Sequence, residues 1–190
     1  MRENTASIRR HLSSRRRNRW CAVLVALATL SVARDTRAAD PSPNEVEARF
    51  VFQLLNYVTW PESVLPQGAP LQIGVLGDDA FAANLREVVG ERRAQDRRVE
   101  VRSVADGTEP GLHLLFVHEP DTAKLRELAR AHHGASVLLV AERFDFPKLG
   151  GDVGLELIGG RVSFSISRRK SERGDLQISS KLLRLASEVK

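Results

Sequence analysis

The sequence predicts an α/β fold, with a mixed, mostly parallel sheet flanked by helices on both faces, a C-terminal β-hairpin and a final helix. Three observations carry this prediction. Leu112–Val117 and Ser136–Ala141 are continuous apolar runs, as expected of strands covered on both faces. Residues 121–133, between them, place Leu125, Leu128 and Ala129 on one helical side, which completes a parallel strand–helix–strand crossover. Finally, Val153, Leu155 and Leu157 alternate up to Gly159-Gly160, and Val162, Phe164 and Ile166 alternate after it. That is the pattern of a hairpin.

The remaining elements follow in chain order. Ser42-Pro43-Asn44-Glu45 reads as an N-cap, a proline in the first turn and a capping-box Glu. Val46, Phe50, Leu54 and Val58 recur at helical spacing, so an amphipathic helix is expected over 43–58, stopped by Pro61. Leu71–Leu76 reads as a strand ending at Gly77-Asp78-Asp79, and Phe81, Leu85, Val88 and Val89 mark a helix up to Gly90. Arg98–Val104 alternates apolar and charged residues, as a half-exposed strand does. Near the C-terminus, Ser179 or Ser180 caps a helix expected to carry Leu182, Leu185, Ala186 and Val189.

Charge is divided unevenly along the chain. The 190 residues have a net charge of +5 and a pI near 10. Residues 1–39 hold nine Arg and two acids, a net of +7, whereas residues 40–190 hold 20 basic and 22 acidic side chains, a net of −2. The body therefore offers no electrostatic case for nucleic acid. Trp20–Ala33 is a run of 14 uncharged residues behind the arginines, shorter than the ~20 residues a membrane span needs. Basic stretch, short apolar run and small residues together read as a cleaved export signal. Cleavage is expected after Ala38, with Ala33 and Ala39 as the other candidate positions. This makes residues 1–38 a signal peptide and 39–190 one α/β domain destined for the periplasm. Cys21 precedes most of the apolar run and fits no lipoprotein anchor, and Arg15–Arg17 is a weak twin-arginine signal. No Cys remains after cleavage, so neither a disulfide nor a thiolate metal site is available.

No constellation of residues points to catalysis. Asp78-Asp79 at a strand end resembles the acidic pair of phospho-acceptor receiver domains, but the later strand ends offer His118-Glu119 and Glu142-Arg143 instead of Asp and Lys. Helix N-capping by Asp78 or Asp79 is the better reading. His113 and His118 are an odd number of residues apart, so an extended strand turns them to opposite faces. His132 and His133 are adjacent near a helix end, and neither pair has metal-ligand spacing. Ser163, Ser165 and Ser167 read as the exposed face of a strand, without the elbow motif of a nucleophile. Neither a phosphate-binding nor a dinucleotide fingerprint is present. Arg168-Arg169-Lys170 with Arg173 is a compact basic cluster that could meet an acidic partner or ligand, but a solvated helical turn is the better reading. The expectation is a protein that is not an enzyme and that needs no metal or cofactor.

Several patterns in order resemble the YfiR family of exported bacterial proteins. They are Phe50-Val-Phe-Gln-Leu-Leu-Asn-Tyr-Val-Thr-Trp-Pro61, Ile73-Gly-Val-Leu-Gly-Asp78, His113-Leu-Leu-Phe-Val117, Gly150-Gly151, Arg161-Val-Ser-Phe-Ser-Ile166 and Ser179-Ser-Lys-Leu-Leu-Arg-Leu-Ala186. The resemblance covers residues 45–187. It implies a compact periplasmic α/β domain that acts as a homodimer. Such a repressor binds the periplasmic sensor region of an inner-membrane diguanylate cyclase, and an outer-membrane lipoprotein sequesters it. One departure is the absence of the body cysteines common in such relatives, including one just before the strand His, where this chain has Leu112. Disulfide-based control cannot operate here.

A repressor of this type needs a docking patch rather than catalytic groups. Trp60-Pro61 is the anchor candidate, since Trp often dominates interface energy. Its alternative role is a plug between the first helix and the sheet. A second function from a different class is a small-ligand sensor that uses the strand end at Gly77-Asp78 and feeds a membrane protein such as a histidine kinase. The partner- or ligand-binding candidates are thus Trp60, Pro61, Gly77, Asp78, Arg168 and Arg169. An exported enzyme with a site assembled from scattered residues is the third and weakest reading.

Overall fold

The computed structural model describes residues 41–118, 120–168 and 176–190. The expected signal peptide and most of the basic cluster, Arg169 included, lie outside the described residues.

Ser42 opens α1 (Pro43–Leu54), its hydroxyl accepting the Glu45 N–H at 3.2 Å. Only half of the expected capping box forms this way, because the Glu45 carboxylate receives Arg49 one turn later. The helix is also shorter than the expected 43–58. Leu55–Tyr57 tighten into a 3-10 turn, and Val58–Thr59 form the short strand β1. The Gln95 side-chain amide donates to the carbonyls of both Leu55 and Val58. It thereby satisfies acceptors that helix ends leave open. The inward stripe is rotated from the expected Val46–Phe50–Leu54 face. Ala48, Val51 and Leu55 are fully buried, Val46 and Phe50 only half-buried, and Glu47 points inward.

The remaining elements are β2 (Leu71–Leu76), α2 (Asp79–Val89), β3 (Arg93–Ala94), β4 (Arg97–Val104), β5 (Leu114–Val117), α3 (Thr122–Ala131), β6 (Leu138–Ala141), β7 (Val153–Ile158), β8 (Arg161–Ile166), β9 (Gln177–Ile178), α4 (Ser180–Leu185) and β10 (Glu188–Val189). Eight strands join one sheet in the order β10-β8-β7-β6-β5-β2-β4-β3, and β1 pairs with β9 separately. The central strands β4, β2, β5, β6 and β7 are parallel. β7 and β8 form the expected antiparallel hairpin, with Val153 opposite Ile166 and Ile158 opposite Arg161. The sheet is α/β and mixed, as the sequence predicts.

Alternation along the strands divides the core between two faces. Ile73, Val75, Leu114, Phe116, Leu138 and Val140 pack under α1 and α2, whereas Leu76, Leu115, Val117, Leu139 and Ala141 pack against α3. From β2 the chain runs through α2 to β4 on one side, then returns past β2 to β5 on the other. The connections leaving β2 and β5 therefore diverge. Their carboxyl ends form a topological switch point, the usual ligand crevice of open parallel sheets.

Two expectations for the C-terminal third need correction. Ser179 caps α4, but that helix ends at Leu185. Leu185 is exposed, and Val189 belongs to β10, paired in parallel with β8. Ser165 and Ser167 are buried rather than on an exposed face. The Ser165 hydroxyl donates to the Phe144 carbonyl, and the Ser167 N–H donates to the Asp152 carbonyl at 2.8 Å. The segment after β6 folds back over this part of β8, which turns a polar strand face into an interior one.

Candidate functional site

The residues that follow β2, β5 and β6 are drawn into one row at the switch point. The His118 N–H donates to the Leu76 carbonyl at 3.0 Å, and the Glu142 N–H to the Val117 carbonyl at 3.1 Å. The ladder thus continues one residue past each strand. Gly77 has φ +101°, and a Cβ there would stand 2.8 Å from the His118 carbonyl oxygen. Glycine is what lets the two loops approach so closely.

Asp78 caps α2 with one oxygen, Oδ1 accepting from Ala80 N at 2.7 Å and Phe81 N at 3.0 Å. Its other oxygen, Oδ2, lies 3.4 Å from Nε2 of His118. The second ring nitrogen, Nδ1, is 2.9 Å from the Glu142 carboxylate. That contact is close in distance but outside hydrogen-bond geometry, so Nδ1 is buried without a hydrogen-bond partner. Phe81 stacks on the imidazole at 5.6 Å and 19°, and on Phe116 at 4.6 Å and 22°. The ring plane is therefore fixed by aromatic packing as well as by its acidic neighbours.

Glu47 reaches the same place from α1. One oxygen of Glu47, one of Glu142 and one ring nitrogen of His118 lie within 4.8 Å of one another. Glu47 is 5% exposed, and among the described residues its carboxyl has no hydrogen-bond or ion-pair partner. Burial, with the Glu142 carboxylate adding to it, raises the Glu47 carboxyl to about 7. The nearby guanidinium of Arg143 is engaged elsewhere, with Asp145 at 2.7 Å and Thr122 at 2.6 Å. One imidazole nitrogen and two carboxylates therefore converge, a set that can hold a divalent cation or share a proton.

The sequence-derived candidates do not assemble into one site. Gly77 and Asp78 belong to the switch point. Trp60 lies towards the other end of the sheet and is 5% exposed, its indole N–H donating to the His113 carbonyl at 3.0 Å. It occupies the plug position rather than an exposed one. Pro61 beside it is half-buried. Arg168 is exposed after β8, its N–H donating to the Lys190 carbonyl at 2.9 Å.

Glu47, His118 and Glu142 were missed, although the sequence reading noted His118 and Glu142 as strand ends. Pairwise histidine spacing does not detect ligands supplied by three different elements. A usable signal was present nonetheless: Glu47 interrupts an otherwise apolar helical stripe with Val51 and Leu54, at i+4 and i+7. Among the described residues, the other histidines have structural partners. His132 caps the end of α3 and directs Nε2 at the Gly107 carbonyl, 2.7 Å away.

No curated protein matches the chain. The description "YfiR/HmsC-like" fits a domain over residues 44–187, from the first turn of α1 to just before β10. With three quarters of the sequence matched in this way, the chain belongs to the YfiR/HmsC-like family.

Proposed function

We propose that this chain is an exported periplasmic regulator that binds the sensor region of an inner-membrane diguanylate cyclase and lowers cyclic-di-GMP output. The observation that carries the reading is family membership over residues 44–187. The sequence supports it with an N-terminal export pattern and a body of net −2. No helix among the described residues is long and apolar enough to cross a membrane, which fits a partner that supplies the membrane anchor. Homodimerisation and sequestration by an outer-membrane lipoprotein belong to the same proposal.

The test is to produce the full chain beside candidate membrane-bound cyclases and measure cyclic-di-GMP. The expected result is a fall in cyclic-di-GMP together with co-purification of one cyclase. Unchanged levels and no captured cyclase would overturn the reading.

One observation favours a second reading, a small-ligand sensor feeding a histidine kinase. A cleft of about 600 Å³ is lined by Arg126, Arg130, His133, Lys148 and Gly150, among others. Its cationic lining suits an anionic metabolite. Thermal shifts with such metabolites, in protein that captures no cyclase, would support this reading over the first.

A further inference from the structure

We propose that Glu47, His118 and Glu142 bind a single divalent first-row cation, with zinc the best match, and that Asp78 orients the histidine. The site would tie α1 to the carboxyl ends of β5 and β6.

The two nitrogens of His118 are already assigned different tasks. Nε2 faces Asp78 Oδ2 at 3.4 Å, while the buried Nδ1 faces Glu142 at 2.9 Å and has no hydrogen-bond partner. Metal-bound histidines typically donate their other ring N–H to a carboxylate, which fixes the tautomer and orients the ring. Asp78 is placed to do this, and its N-cap bonds through Oδ1 hold it still.

Glu47 supplies an independent observation. It is a carboxyl brought almost completely into the core, with no partner among the described residues and another carboxylate beside it. A buried acid so placed is costly unless a cation or a proton neutralises it. The three donor atoms already lie within 4.8 Å of one another. Small side-chain rotations would bring them to the roughly 2.0–2.2 Å bonds that zinc makes with nitrogen and oxygen. The side chains of His118 and Glu142 are 14% and 30% exposed, which leaves an entry route and room for a water as fourth ligand.

Donor chemistry selects the metal. An imidazole nitrogen with two carboxylates suits zinc and its first-row neighbours. Calcium takes six to eight oxygens, and magnesium favours an octahedral oxygen shell. This inference does not depend on the cyclase reading, because it is tested on the purified chain alone.

The experiment is calorimetric titration of zinc chloride into chelator-treated, dialysed full-length protein, with bound zinc counted by elemental analysis. One zinc per chain is expected, accompanied by a clear rise in Tm, whereas excess magnesium should not compete. Glu47→Gln and His118→Gln should each weaken zinc binding by about 100-fold or more. Asp78→Asn should weaken it by about 10- to 100-fold. Since Asn caps helices as well as Asp does, Asp78→Asn should leave the Tm of the metal-free protein unchanged. If the Glu47 variant does not fold, Glu142→Gln and imidazole NMR of the unmodified chain carry the test. Zinc should then shift the His118 ring signals. Failure to bind zinc, unchanged affinity in the variants, or shifts confined to His132 and His133 would each overturn the proposal.

Discussion

Trp60 and His113 form a hydrogen-bonded pair at the amino-terminal end of β5, joined by an indole N–H to carbonyl bond of 3.0 Å with ring centroids 6.1 Å apart and edge-on. Nδ1 of His113 accepts the Gln72 N–H at 3.0 Å, so the proton is on Nε2, which faces the Val64 carbonyl at 3.2 Å. The pair thus secures the segment between β1 and β2 to both β2 and β5.

Trp60 should therefore behave as a core residue. Trp60→Phe removes the indole donor from the His113 carbonyl, which keeps the Leu138 N–H at 2.9 Å, so the lost hydrogen bond should cost about 0.5–1.5 kcal/mol. Trp60→Ala should cost about 3–5 kcal/mol. Urea unfolding measures both. Losses below about 0.5 kcal/mol would mean that the side chain behaves like a surface position.

His113 should make stability depend on pH. Burial holds its imidazole below the usual histidine range; the bond to Val64 opposes this and Arg97 reinforces it. The unfolded chain then binds the proton more readily than the folded one. Stability should be full above the ordinary value of 6.5 and should fall as pH drops below it towards the lowered folded value. One proton limits the slope to about 1.4 kcal/mol per pH unit. Glu47, raised to about 7, contributes a slope of opposite sign over the same range. The His113 contribution is therefore read as the difference between the unmodified chain and His113→Gln in urea midpoints from pH 8 to pH 5, the variant losing less stability as pH falls. Equal slopes in the two proteins would rule out His113 as the source.

Gly77 and Gly159 should respond differently to alanine. Both have positive φ, +101° and +56°, but a Cβ at Gly159 meets nothing within 4 Å, while one at Gly77 collides with the His118 carbonyl. Gly159→Ala should cost about 1–2 kcal/mol, the left-handed penalty alone. Gly77→Ala should cost more, because backbone strain is joined by displacement of the His118 loop. Thermal melts of the two variants would rank them, and an equal cost would mean that the approach at Gly77 is loose.

Asp152 should matter through the acceptor it presents to β6. It is 2% exposed, and its Oδ2 accepts the Leu139 N–H at 2.7 Å, joining the loop before β7 to β6. Asp152→Ala orphans that donor and should cost about 1–3 kcal/mol. Asp152→Asn retains a side-chain oxygen and should cost less. Hydrogen exchange at the Leu139 amide should accelerate in the alanine variant first.

Much of the sheet was legible because its strands differ in composition. The double-sided runs at β5 and β6 and the alternating hairpin strands each carry their own periodic mark. The β3–β4 hairpin was not legible. Its turn uses Gln95 and Asp96 at φ 52° and 61°, without the Asn-Gly or Asp-Gly pair that usually signals such a turn. The β1–β9 and β8–β10 pairings were hidden for another reason. They involve two residues on a side and depend on tertiary contacts rather than local pattern. At the switch point, Asp78 was recognised as a cap because capping is local. Its neighbours Glu47, His118 and Glu142 lie far apart in sequence and meet only through the register of three parallel strands and the rotation of α1.

The sheet ends at β3 on one margin and β10 on the other, each only two residues long. β3 pairs only with Arg97 and Arg98 of the longer β4, and β10 only with Ser165 and Ile166 of β8. Among the described residues, 99–104 of β4 and 161–164 of β8 therefore face outward without a partner strand. Those stretches, rather than the two short terminal strands, are where an incoming strand would find main-chain groups to extend.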